Sequence, residues 1–369
     1  MRRAAEPPAH YMREMSPSAN APRAELCGTR ARSNHTHALL LLLLALPFVL
    51  TACGSGGNQA NNNARGNASP AATASPATTA AAATETRAAF DGERAFGHVR
   101  KMVEMGPRPA GSAELARTRE YLSGELQAAN LKVTTDEFTA QTPAGARRMV
   151  NLTAELAGES TDVIIVASHY DTKPVKEFRF VGANDGGSST GALVEIARAL
   201  AAPGRRKPHF TYWFVFFDGE EAVCHGWAEC TNAGAPDNTY GSRRYVARLA
   251  ERGETKRVRA MILLDMIGYT DLSIPRETLS TPWLVDTIWA TARELGHAAQ
   301  FTDEEHSVED DHIPFLRAEI PVVDLIQLGG YPYWHTAGDT LDKISPRSLQ
   351  IVGETVVASL PRIEQRLAR

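Results

Sequence analysis

The sequence predicts a three-layer α/β sandwich, with a mostly parallel central mixed sheet and helices on both faces. Three observations predict it. Four near-continuous apolar runs, "VIIVA" (Val163 to Ala167), "FTYWFVFF" (Phe210 to Phe217), "AMILL" (Ala260 to Leu264) and "PVVDLI" (Pro321 to Ile326), show no polar alternation. Such continuity marks strands buried on both faces. Segments of helical spacing lie between these runs, the order expected of strands joined by crossover helices. Two earlier runs, "KVTTDEFTA" and "RRMVNLTAEL", alternate with period two and predict a hairpin joined around Pro143, Ala144 and Gly145.

The sandwich does not begin at the first residue. Residues 1–53 read as a lipoprotein-type signal segment, because the apolar run "HALLLLLLALPFVLTAC" follows Arg30, Arg32 and other basic residues and ends in small ones. The run is shorter than the roughly 20 apolar residues expected of a spanning helix. Its end, "LTAC", resembles the bacterial lipobox, which makes Cys53 the expected site of lipidation; an uncleaved anchor or an ordinary signal is the alternative. The leader ahead of the run is long, so translation starting at Met12 or Met15 is also open. Residues 54–86 collapse to Ala, Asn, Gly, Ser, Thr and Pro with no apolar face, and cannot offset the entropy of ordering their backbone. They read as a disordered tether. The expected location is therefore outside the cytoplasm, attached to a bacterial membrane on its periplasmic or cell-surface side.

Residues 87–369 remain for the folded domain. A formal net charge of -4 and 43% hydrophobic residues describe an ordinary globular chain with no basic surface for nucleic acid. Two of the four cysteines lie in or before the signal segment. The others, Cys224 and Cys230, are close in sequence, and export favours a disulfide between them. No second cysteine pair completes a zinc ribbon.

In chain order the domain opens with helical spacing over Phe90–Glu104 and Leu115–Ala129, broken by Gly106-Pro107-Arg108-Pro109. The predicted hairpin follows. Helices are then expected near Gly191–Ala201, Ser242–Arg252, Pro282–Leu295 and Pro346–Leu367, between and after the buried strands. Ligands in such sheets gather beyond the carboxyl ends of the strands. There the chain places its polar residues: His169 and Asp171 after the first buried strand, then Asp185 in "FVGANDGGSSTG", Glu220 and Glu221 in "FTYWFVFFDGEE", Asp265 in "AMILLDMIG" and His335 in "YWHT".

A strand-end carboxylate taken singly is more often a cap or a surface residue. A succession of them with histidine is not what capping produces, and it suits a catalytic zinc with an open coordination position. Neighbours such as Glu220 and Glu221 can divide their tasks, one as ligand and the other as general base. His209, His225, His297 and His306 read as non-ligands. The patterns HExxH, Walker A and GxGxxG are absent from the sequence, which removes helix-borne zinc proteases, P-loop proteins and dinucleotide binders.

The order His-x-Asp, Gly-Ala-x-Asp, Glu-Glu, Leu-Asp-Met and His-Thr resembles the zinc aminopeptidase-like metallopeptidases, over nearly all of residues 88–369. "ASHYDTK", "FVGAND", "FFDGEEA", "YGSRRYVA", "LLDMIG", "DDHIPFLR" and "WHT" resemble one branch, the glutaminyl-peptide cyclotransferases; "GANDGGSSTG" and "HTAGDTLDKI" look more like aminopeptidases. The resemblance implies one zinc held by Asp185, Glu221 and His335. It implies Glu220 as general acid/base, Asp265 and Asp311 in a supporting hydrogen-bond network, and Trp227 and Trp334 shaping the substrate pocket. Of the adjacent carboxylates, Asp311 fits the inner position and Asp310 a flanking one, with capping of the helix "HIPFLRAE" as the plain alternative.

The expected reaction turns an N-terminal glutamine into pyroglutamate with release of ammonia. The runner-up is a two-zinc aminopeptidase, in which His169 and Asp265 complete a second metal site. A lipid-tethered binding protein is disfavoured, because binding needs no free general base at Glu220. The expected partners are peptides or proteins with a free N-terminus and the membrane lipid, with no nucleic acid, and the chain is expected to be a monomer.

Overall fold

The computed structural model describes residues 90–369, apart from 228 and 233. The expected signal segment with Cys53, and the tether at 54–86, lie outside the described residues. The described chain opens with α1 (Gly92–Met105) and α2 (Ala113–Ala128). Asp91 caps α1 by accepting from the amides of Glu93 and Arg94, and Ser112 caps α2 by accepting from Leu115. The hairpin of β1 (Lys132–Thr142) and β2 (Gly145–Leu156) pairs Thr142 with Gly145, which leaves Pro143 and Ala144 as its turn.

Then follow β3 (Val163–His169), α3 (Gly187–Leu200) and β4 (Thr211–Phe217). A small hairpin of β5 (Thr231–Asn232) and β6 (Ala235–Pro236) precedes α4 (Tyr240–Glu251) and β7 (Val258–Asp265). The chain ends with β8 (Ile274–Glu277), α5 (Pro282–Glu294), β9 (Phe301–His306), α6 (His312–Arg317), β10 (Val322–Ile326) and α7 (Pro346–Leu367).

The central sheet runs β1-β2-β4-β3-β7-β10. Strands β4, β3, β7 and β10 are mutually parallel, and the hairpin joins antiparallel through β2. This is the predicted sandwich, and its six strands are the six the sequence predicts. Side chains of period two feed two cores. Ile164, Val166, Phe214 and Phe216 face a layer built by α1, α2, α3, α5 and α7, whereas Ile165, Ala167, Val215 and Phe217 face α4 and α6.

Two small sheets, β5 with β6 and β8 with β9, lie outside the prediction. Strand β9 reads "FTDEEH" with Asp303, Glu304 and Glu305 exposed, so it carries no apolar signal. Among the described residues no helix is long and apolar enough to cross a membrane.

Candidate active site

Parallel register brings four strand ends to one edge. His169 closes β3 opposite Phe217 of β4, and Asp265 closes β7 opposite Ile326 of β10. Glu220 and Glu221 follow β4, and Asp185 lies in the turn before α3. That turn needs glycine at 186. Its φ is 67°, and a Cβ there would stand 2.7 Å from the His169 ring. His335 itself has φ 52°, a left-handed conformation that turns its ring towards the strand ends.

His335 Nε2 lies 3.3 Å from Asp185 Oδ2 and 3.2 Å from Glu221 Oε2. One donor atom from each of the three residues falls within 4.8 Å of the others. Asp185 Oδ2 and Glu221 Oε1 are buried and accept no hydrogen bond from the protein. Two carboxylates and an imidazole gathered this closely, with buried carboxylate oxygens left without a partner, fit a zinc-type cation. Burial alone would raise Asp185, yet His169 and His335 hold its carboxyl below the usual range. Burial opposes charge on His335, whereas Glu221 and Asp185 push it up to about 10.

His169, Asp185 and Asp265 form a second group within the same limit. His169 Nε2 is 3.1 Å from Asp265 Oδ1 and 3.4 Å from Asp185 Oδ1. Asp185 therefore belongs to both groups. Asp265 Oδ1 also accepts from the amide of Met266 at 2.8 Å.

The site opens into a cavity of about 300 Å³ lined by Glu220, Glu221, Asp265, Asp310, Trp227 and Trp334, among others. Trp334 is 44% exposed and stacks on His335 with ring centroids 4.2 Å apart. Burial pushes the Glu220 carboxyl well above its ordinary range; His169 pulls against this, and Glu221, Asp310 and Asp311 add to it. A carboxyl raised in this way is suited to general acid/base work near neutral pH.

The expected order of the adjacent aspartates is exchanged. Asp310 lines the cavity, while the Asp311 carboxylate accepts from Ser242 Oγ at 2.5 Å and is absent from the lining. Asp311 flanks α6 but makes no side-chain cap bond, so the capping alternative does not describe it either. Asp310 Oδ1 instead accepts from the Asp311 amide.

Trp227 and Trp334 both line the cavity, as expected of pocket-shaping residues, and His225 joins them as a lining residue outside both ligand groups. Cys224 and Cys230 are joined in a disulfide, which occupies the thiols beside Asp237. His209 pairs with Glu159 and His297 with Glu354, away from the site.

Asp171, expected from the sequence as a strand-end polar residue, accepts from the amides of Glu220 and Glu221 at 3.2 and 3.4 Å and ties the pair to the segment after β3. Other supporting residues were not singled out from the sequence. Asp339 accepts from the amides of Asn184 and Asp185, and from the Tyr331 hydroxyl. The fully buried guanidinium of Arg108 donates to the carbonyls of Tyr170, Val181 and Gly182. Asp324, the polar residue inside "PVVDLI", lies 3.5 Å from His312 Nδ1, and burial and Asp310 raise its carboxyl well above normal. The letters of Arg108 and Asp339 sit in "GPRP" and "HTAGDT", but nothing in either pattern says that the side chain turns inward.

Comparison with known proteins agrees with this arrangement. Residues 151–360 match peptidase family M28. A glutaminyl-peptide cyclotransferase of Bos taurus is 30% identical over 267 residues, covering 63% of this chain and 72% of the relative. A solved glutaminyl cyclase of an Acidobacteriales bacterium superposes with a TM-score of 0.70 at 37% identity, covering 80% of this chain and 100% of that one. A leucine aminopeptidase precursor from Bacteroides thetaiotaomicron gives 0.67 at 29% identity, over 73% and 96%.

Proposed function

Since the chain belongs to peptidase family M28, we propose that its site is that of a glutaminyl-peptide cyclotransferase, acting on peptides or proteins with an N-terminal glutamine. The observation that carries the reading is the common cavity of Glu220 and Asp310 beside the Asp185, Glu221 and His335 group. A zinc ion held by those three residues would supply Lewis acidity to the γ-carboxamide carbonyl.

The remaining work falls to the chain. Trp227 and Trp334 bind the glutamine side chain, while Glu220 and Asp310 meet its α-amine as that amine bends onto its own side-chain carbonyl carbon. Positioning of this kind is worth roughly 7–11 kcal/mol in favourable cases. The α-nitrogen bonds to that carbon, and Glu220 takes the proton the amine loses. As the carbon–nitrogen bond of the carboxamide breaks, Glu220 returns the proton to the departing ammonia. Asp310 stands in the cavity with Glu220, at the inner position first expected of Asp311, within reach of the amine.

Glutaminyl cyclase relatives favour this reaction over peptide hydrolysis. The second group, His169, Asp185 and Asp265, is the one observation that suits an aminopeptidase with two ions. We read His169 and Asp265 as hydrogen-bonded to each other at 3.1 Å, and expect one zinc per chain, on the likeness to the glutaminyl cyclases.

A glutamine-initiated peptide should release ammonia and keep its length, and a leucine-initiated peptide should stay intact. Glu220→Gln should lower turnover about 10²–10⁴-fold, the usual worth of a general acid/base, with one zinc per chain retained by metal analysis. Shortening of the leucine peptide, together with two zinc ions per chain, would establish the aminopeptidase instead.

A further inference from the structure

One wall of the cavity is a ring. The disulfide between Cys224 and Cys230, six positions apart, closes a loop that brings His225, Gly226 and Trp227 to the cavity. The base of the ring is Cys224, and its backbone is held from both sides. Its amide donates to Asp237 Oδ2 at 2.9 Å, and buried Asp237 also accepts from the Tyr240 hydroxyl at 2.6 Å. On the opposite side, Lys173 Nζ donates to the carbonyls of Ala222 and Cys224, each at 3.0 Å.

Lys173 is only 6% exposed. Lysine is almost never buried without partners, because its ammonium gives up strong hydration. Its partners here are those two carbonyls and, at 3.9 Å, Glu221 Oε2. One ammonium thus links the segment after β3, a carboxylate of the metal group and the base of the ring. Neither Lys173 nor Asp237 lines the cavity.

We propose that Lys173 is a positioning residue for substrate binding: with the Cys224–Cys230 disulfide, its ammonium fixes the ring that presents Trp227 to the glutamine end of the peptide. The assignment of the substrate rests on the cyclotransferase reading; the clamp on the ring does not. Without the clamp, the ring regains backbone and side-chain freedom that a substrate must remove on binding. Glu220 lies outside the ring, so the loss falls on KM and not on kcat.

Lys173→Met should raise KM for a glutamine-initiated peptide by about ten-fold while kcat stays within about two-fold, the pattern of lost ground-state binding. Metal content, measured alongside, separates the ring from the Glu221 contact at 3.9 Å: a KM rise that comes with loss of zinc would overturn the proposal. The double variant Cys224→Ser, Cys230→Ser should move KM in the same direction, as should reduction of the unaltered chain with a thiol-free phosphine, and the phosphine should have no further effect on the double variant. Hydrogen–deuterium exchange should quicken in peptides covering 222–230 and stay constant over β3, β4 and β7. Unchanged KM in both variants, a fall in kcat alone, or exchange that quickens throughout the domain would overturn the proposal. If the unaltered chain releases no ammonia, the cyclotransferase reading fails by itself, and the exchange measurement still decides whether Lys173 holds the ring.

Discussion

Asp310 and Asp311 are neighbours in the chain but not in their surroundings. Asp310 faces the cavity beside Glu220; Asp311 is fully buried against Ser242. Asp310→Asn should therefore lower turnover of a glutamine peptide by at least about 10²-fold, and Asp311→Asn by much less, since only the first carboxylate is within reach of the substrate. Asp311 should show itself in stability. Burial raises its carboxyl from 3.8 to about 7. The folded chain then keeps a proton that the unfolded chain has released, so the contribution of this group to stability is present below about pH 4 and is lost as pH rises to about 7. Asparagine mimics the protonated form. Urea midpoints of Asp311→Asn and the unaltered chain should agree near pH 4 and separate by pH 8 in favour of the variant; parallel curves would show that Asp311 does not titrate this way. The sequence made the residue types of the site legible, because strand-end polar residues stand out against apolar runs. It could not say which of two adjacent aspartates turns inward, since their order depends on the tight turn before α6.

The same division holds for elements. Strands β3, β4, β7 and β10 were legible as buried runs, and β1 and β2 by alternation with a Pro-Ala-Gly turn. Strands β8 and β9 were not, because the first is short and the second exposes its acidic residues. Helix positions followed from spacing, but their pairing did not. Helix α7 lies against α1, and Gly353 lets it close over Phe90, just ahead of α1: a Cβ there would stand 2.2 Å from the Phe90 ring. Gly353→Ala should force the two apart and cost about 1–3 kcal/mol, the usual range for overpacking a core. Denaturant unfolding measures it, and an unchanged midpoint would mean that Phe90 moves aside freely. Turnover by the remaining folded protein should be preserved, since neither residue reaches the strand ends that carry Glu220 and Asp265.

For the whole molecule, the proposal still open is attachment. The run ending "LTAC" suggests that Cys53 is acylated and that the residues before it are removed. One acyl chain binds a membrane only marginally, so stable attachment calls for more than one. Cys53→Ser should move the protein to the soluble fraction and leave its leader uncleaved; a variant that stays with the membrane at unchanged size would end the lipoprotein reading. Within residues 90–369, the contact between α1 and α7 has a consequence for biosynthesis. The first described helix and the last are partners in one layer, and the metal group draws on residues 185, 221 and 335. A nascent chain halted just after His335 would own every donor and still lack α7, so that Phe90 and the apolar surface beside it would lie bare. Such distant pairings make assembly slow and late. Capture of an ion by residues 185, 221 and 335 should therefore follow the docking of α7 on α1, and not nucleate the fold as zinc does in a small zinc finger.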